Sequence, residues 1–227
     1  MSCCSVNNKK GIGCFFSKEA KYFNKRYIRK GFEKSQKQII EYLISGKISG
    51  LSILEIGCGT GHLHRYLLNH GASSAIGIDL SEEMINLAKN HAMNEKLEPR
   101  VTYYTGDFID FSNQINKCDI VILDKVICCY PEAMDLVFKS MQKSRQFYIY
   151  TIPKNKWWIR YGIKVTAFFL QLFRSGFFPF FHDHEKITSL LIKNDFYPDS
   201  ITHSFAWETY IFSYNKRGTG TSNTMVS

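Results

Sequence analysis

LSILEIGCGTGHL, residues 51–63, joins a short apolar run, a glycine loop and the opening of a helix. The run does not alternate apolar with polar, so it reads as a strand covered on both faces. Gly57, Gly59 and Gly61 let the chain turn sharply and let a ligand come close to the backbone. The helix that follows offers free N–H groups and the positive end of its dipole. The spacing is G-x-G-x-G, not the G-x-G-x-x-G of the dinucleotide fingerprint, and no Gly-Lys-Ser/Thr follows as in a Walker loop.

The same strand–helix alternation continues outward. SAIGIDL (74–80), VTYYTGD (101–107), CDIVILD (118–124) and QFYIYTI (146–152) read as strands. SEEMINLAKNHAM (81–93), capped by Ser81, and residues 131–143 read as helices between them. HEKITSLLIKNDF (184–196) is a further helix, and residues 200–216 read as a terminal strand pair. Alternating βαβ units predict an α/β fold with a doubly wound, mostly parallel, seven-stranded sheet.

Before this domain, residues 1–14 look irregular and polar. Residues 17–45 are helical in pattern, capped by Ser17, broken near Gly31 and stopped at Gly46. The expected organisation is an N-terminal basic helical segment (1–48), the α/β domain (49–216) and a disordered tail (217–227).

Net charge is +9, with +8 of it in residues 1–50, −3 in residues 51–150 and +4 in the remainder. Such a segment suits an acidic substrate, nucleic acid, an anionic lipid surface, or plain solvation of a helix face. The seven cysteines are odd in number and include two adjacent pairs, a poor basis for a disulfide framework. Reduced thiols and a cytoplasmic setting are expected, with no secretory signal and no spanning helix. Cys3, Cys4 and Cys14 lack zinc-ribbon spacing, and His182 with His184 supplies only two ligands, so no metal is expected.

Asp79 closes the second strand, 22 residues after Gly57, where an acid can accept hydrogen bonds from ribose hydroxyls. Glu55, Asp107 and Asp124 end the first, third and fourth strands. In a doubly wound sheet these ends face one crevice, so the four acids are expected at one ligand site beside the glycines.

ILEIGCGTGHL, GIDLSEEMINLA and YYTGDF resemble, in that order, the first three motifs of the class I S-adenosylmethionine-dependent methyltransferases. The resemblance covers about residues 50–215. It implies S-adenosylmethionine as cofactor, with Glu55, Gly57, Cys58 and Gly59 around the methionine moiety. It implies Asp79 on the ribose beside Leu80 and Met84, Asp107 and Phe108 on the adenine, and Asp124 near the amino group or sulfonium. LDKVICCYP (123–131) stands where base-directed amino methyltransferases carry Asn/Asp-Pro-Pro-Tyr, which argues against nucleic acid as partner. KYFNKRYIRKGFEKSQKQII, LDKVICCYP and FFHDHEKITSLLIKNDF are more loosely similar to the magnesium-protoporphyrin O-methyltransferase branch, which implies a small, apolar or planar acceptor.

In such an enzyme the cofactor carries the difficult chemistry, and the protein supplies alignment and, where needed, a base. His182 and His184 are the candidate bases, with Tyr130 placed to orient the acceptor. His62 and His64 read as helix-surface histidines. In residues 157–174, Trp158, Tyr161, Val165, Phe168 and Leu172 form one stripe, opposite Arg160, Lys164, Ala167, Gln171 and Arg174. Residues 157–181 therefore read as core, as a lid over the acceptor, or as a peripheral membrane contact. Three functions stay open: a small-molecule methyltransferase, an RNA or protein methyltransferase using the basic segment, and a non-enzymatic cofactor-binding protein.

Overall fold

In the computed structural model, residues 8–172 and 179–215 are described. The expected tail (217–227), Cys3, Cys4, Phe173, Phe177 and Phe178 lie outside the described residues. The side chains of Phe168, Phe169 and Leu172 lie outside them too.

Two helices come first, α1 (Asn8–Lys30) and α2 (Lys34–Ile44). The α/β alternation then runs β1 (Ser52–Ile56), α3 (His62–Asn69), β2 (Ser74–Asp79), α4 (Glu82–Asn94), β3 (Val101–Thr105), α5 (Phe108–Phe111), β4 (Cys118–Asp124), α6 (Ala133–Met141) and β5 (Ser144–Pro153). It closes with α7 (Trp157–Leu172), α8 (His184–Lys193), β6 (Phe196–His203) and β7 (Trp207–Tyr214). The seven strands form one sheet in the order β3-β2-β1-β4-β5-β7-β6. The first five are parallel, and β7 runs antiparallel to both β5 and β6. The predicted architecture is therefore present, including the terminal strand pair.

The continuous apolar strands follow from coverage on both faces. In β4, Ile120 and Ile122 pack with Leu43, Leu63 and Leu67 on one side. Val121 and Leu123 pack with Leu136, Val137, Tyr148 and Tyr150 on the other. A fully buried Leu or Ile contributes roughly 1.5–3 kcal/mol by leaving water, so a charge at any of these positions would destabilise the sheet. β2 and β4 flank β1 on opposite sides. Chain crossings diverge there, and a crevice opens at the carboxyl ends of these strands.

Several expectations need correction. The first helix begins at Asn8, not at a Ser17 cap, and residues 8–14 are not irregular. Gly11, Ile12 and Gly13 are buried, and a Cβ on Gly13 would lie 2.8 Å from the Leu80 carbonyl oxygen. Close packing on the β2–α4 turn thus overrides the low helix propensity of Gly13. Ser17 lies inside the helix, its hydroxyl 2.8 Å from that of Ser81. The break near Gly31 is present, at φ +68°. The α8 helix stops before residue 196, because Asp195 turns left-handed at φ +63°.

The aromatic stripe is also rotated from its expected position. Tyr161 and Val165 are exposed, whereas Ile159 is buried. Trp158, Ile159, Gly162 and Ile163 form the inward face.

Candidate active site

The glycine loop between β1 and α3 depends on left-handed backbone, with Gly57 at φ +68° and Gly59 at φ +54°. Gly57 passes so close to Val126 that a Cβ there would overlap the Val126 Cγ2 methyl. Asp79, at the end of β2, fixes the loop. Its carboxylate accepts from the Gly59 N–H at 2.8 Å and from the Ser81 N–H at 2.9 Å. Ser81 in turn caps α4 by accepting from the Met84 N–H at 3.1 Å. Burial pushes the Asp79 carboxyl up to about 6, against the downward pull of those two N–H donors.

The other acids sit at neighbouring strand ends. Asp107 caps α5 through the Ile109 N–H at 3.0 Å, and the Tyr130 hydroxyl donates to its Oδ1 and Oδ2 at 2.9 and 2.7 Å. Asp124 ends β4 with its Oδ1 buried and, among the described residues, without a hydrogen-bond partner. Burial pushes its carboxyl above the usual range, partly offset by Lys125 and by hydrogen bonds from Thr151 and Gln36. Glu55 is buried, and its Oε2 accepts from His64 Nδ1 at 2.6 Å.

All ten expected cofactor residues, Glu55, Gly57, Cys58, Gly59, Asp79, Leu80, Met84, Asp107, Phe108 and Asp124, line a single cavity of about 780 Å³. Tyr130 lines it as well; His182 and His184 do not. His182 Nε2 lies 2.9 Å from the Tyr130 carbonyl oxygen, and His184 pairs with Glu208 at 3.4 Å. Burial lowers the pKa of both imidazoles.

The cavity has a second half that the strand motifs did not foretell. Ile12, Phe16, Phe23 and Tyr27 of α1 wall it on one side, with Trp158 and Ile159 of α7 and Trp207 of β7 on others. At its rim Lys125, in left-handed backbone at φ +61°, is ion-paired with Glu33, which also holds Arg26 at 2.6 Å. Burial pushes the Glu33 carboxyl up, but the two cations hold it below the usual range. Cys128 and Cys129 face the same space, their sulfurs 3.8 Å apart. The basic N-terminal segment thus builds a wall of the cavity with one face of α1, while Lys18, Lys21, Lys25 and Arg29 remain exposed.

The two helix-surface histidines are a second correction. His64 is 0% exposed, and His62 stacks on Tyr27 with ring centres 3.5 Å apart. Burial pushes the His62 imidazole down to about 3. The sequence held a signal for His64: it falls on the buried α3 face with Leu63, Leu67 and Leu68.

The residues present fit S-adenosylmethionine. Acid side chains would face a cationic nucleoside, the Asp124 Oδ1 has no donor among the described residues, and the left-handed glycines leave the loop backbone without side chains toward the cavity. Leu80, Met84 and Phe108 supply apolar surface for a base.

The strand order and the crevice at the carboxyl ends of the strands are those of the Rossmann-like methyltransferase fold. Residues 53–144 match the family described as methyltransferase domain. A ubiquinone biosynthesis O-methyltransferase of Coxiella burnetii is 27% identical over 119 residues, 46% of this chain and 50% of that protein. An uncharacterized protein of Methanocaldococcus jannaschii is 34% identical over 106 residues, 47% of this chain and 37% of that protein. The chain thus spans about half the length of the curated relatives it matches, or less. Among solved structures, magnesium protoporphyrin IX methyltransferase of Synechocystis with bound S-adenosylhomocysteine superposes with a TM-score of 0.69. That likeness has 22% sequence identity and covers 88% of this chain and 96% of the other. It concerns the fold.

Proposed function

We propose that the chain transfers a methyl group from S-adenosylmethionine to a small apolar or planar acceptor. The observation that carries this is the continuity of the cavity, from the acidic strand ends to the aromatic wall of Phe16, Phe23, Tyr27, Trp158 and Trp207. A volume of about 780 Å³ exceeds what one nucleoside cofactor fills and lies within the range of small-molecule sites. The similar proteins named for ubiquinone biosynthesis and for magnesium protoporphyrin IX support an acceptor of this apolar or planar class.

Bound S-adenosylmethionine supplies an electrophilic methyl group on its sulfonium. The chain's own part is alignment and exclusion of water. Asp79 receives the ribose hydroxyls, the glycine loop receives the amino-acid end, and Asp107 with Phe108 receives the base. The Tyr130 hydroxyl already donates to Asp107, so it fixes that acid. His182 and His184 stand behind the lining and would reach an acceptor only after a rearrangement of the 179–184 segment. A phenol or carboxylic acid that arrives ionised needs alignment alone. The inward face of α7 covers the acceptor half, which favours the lid reading of that helix. Its outward rings, Trp157 at 80% exposure and Tyr161, are what supports a peripheral membrane contact through residues 157–181. Among the described residues no helix is long and apolar enough to cross a membrane. A cytoplasmic location completes the proposal; the Cys128 and Cys129 sulfurs, 3.8 Å apart and therefore unbridged, are its support.

The test is methyl transfer from radiolabelled S-adenosylmethionine to a cell extract fractionated into solvent-extractable small molecules, RNA and protein. Label is expected in the solvent-extractable fraction. Label confined to RNA or protein would replace this reading with a macromolecular one. Trp158→Ala is expected to reduce that label several-fold while S-adenosylhomocysteine affinity stays within about twofold, because Trp158 is half-exposed and rests on the exposed Phe205 ring. Equal loss of cofactor affinity would place Trp158 in the cofactor half instead.

A further inference from the structure

A chain of polar groups beside the glycine loop links β1, α3 and β3. The His64 ring stands between Glu55 and Tyr103: Nδ1 is 2.6 Å from Glu55 Oε2, and Nε2 is 2.8 Å from the Tyr103 hydroxyl. The His64 backbone N–H donates to the same Glu55 oxygen at 3.3 Å. The ring also supports the end of the loop. A Cβ on Gly61 would come within 3.0 Å of both the His64 ring and the Tyr103 oxygen.

Both donors from His64 therefore converge on one carboxylate oxygen. Glu55 Oε1 makes no hydrogen bond among the described residues, although Glu55 lines the cavity. The last torsion of a glutamate is soft, so an unanchored carboxylate would sample many orientations. Two donors on Oε2 remove that freedom. A carboxylate fixed before the ligand arrives binds a cation without an ordering cost at that moment.

We propose that His64, tied to Tyr103, is a positioning residue that holds the Glu55 carboxylate with its second oxygen turned to the cavity for the ammonium group of the cofactor. This rests on the proposed cofactor site. The amino-acid end of the ligand should depend on His64, and the nucleoside end should not.

Calorimetry with two ligands separates the ends: S-adenosylhomocysteine, and 5′-methylthioadenosine, which lacks the amino-acid part. In His64→Leu, S-adenosylhomocysteine affinity should fall about tenfold or more, the scale of a weakened charged hydrogen bond, while 5′-methylthioadenosine stays within about twofold. His64→Asn keeps a side-chain N–H near the Nδ1 position and should recover most of the loss. Tyr103→Phe leaves His64 in place, removes only the hydroxyl, and should cost a few-fold for S-adenosylhomocysteine alone. It carries the test if His64→Leu does not fold. Equal losses for both ligands, or no loss for either, would overturn the positioning role. A wild-type protein that binds 5′-methylthioadenosine and S-adenosylhomocysteine equally well would also overturn it. A wild-type protein that binds neither would instead remove the cofactor reading.

Discussion

Asp79→Ala is expected to weaken S-adenosylhomocysteine binding about 10–100-fold, the scale of roughly 1.5–3 kcal/mol for a hydrogen bond to a charged group. The carboxylate is half-buried, and it also ties Gly59 and Ser81 to the end of β2. Its removal therefore takes away a ribose acceptor and loosens the loop around the same ligand. The fold should survive, since the sheet core packs elsewhere. The pH dependence adds a signature. The folded carboxyl titrates near 6 instead of the ordinary 3.8. Between those values the folded state holds the proton more tightly than the unfolded chain, so this group makes the ligand-free protein less stable as pH rises through that window. Ligand binding runs the other way, because ribose hydroxyls need an ionised acceptor. Affinity should fall about tenfold from pH 7 to pH 5, and Asp79→Asn should flatten that slope. Calorimetry at the two pH values checks both statements. A wild-type affinity that does not change with pH would remove Asp79 from the ribose site.

Gly57→Ala is expected to abolish most cofactor binding, with a loss of about 100-fold, near 2.7 kcal/mol. At φ +68° an L-residue costs roughly 1–2 kcal/mol in backbone strain. The new Cβ would also overlap the Val126 Cγ2 methyl. Relief requires either the loop or Val126 to move, and both line the cavity. Val126 follows Asp124 and Lys125, so its displacement disturbs the end of β4 as well. The melting temperature should fall by several degrees for a stability loss of about 1–3 kcal/mol. Val126→Ala in the same chain should return part of both losses, a coupling that a double-mutant cycle reads directly. Two independent, additive substitutions would show that the contact does not shape the site.

The parts of the molecule legible in its sequence are those whose signal is local. Five parallel strands are legible as short runs between helices, four of them closed by Gly or Asp. The motif acids and glycines do meet in one cavity. What escaped was set by contacts distant in sequence. Gly13 looks helix-breaking, yet α1 uses it to approach Leu80. Tyr161 reads as part of the apolar stripe because a helix with apolar residues on most of its faces admits stripes in several registers; the cavity is lined by Ile159 and Gly162 instead. His182 and His184 read as poised because they follow an aromatic segment, but they lie outside the lining, His182 hydrogen-bonded to the Tyr130 carbonyl and His184 paired with Glu208. The aromatic half of the cavity needs α1, α7 and β7 together, and no single stretch of sequence shows three elements converging.

The central claim is that the crevice between Gly57 and Asp124 takes S-adenosylmethionine and not a dinucleotide. Calorimetric titration of the full chain with S-adenosylhomocysteine and, separately, with NAD tests it most directly. Saturable one-to-one binding of S-adenosylhomocysteine and no heat from NAD is the predicted result. Binding of NAD by a folded protein that ignores S-adenosylhomocysteine would contradict the account.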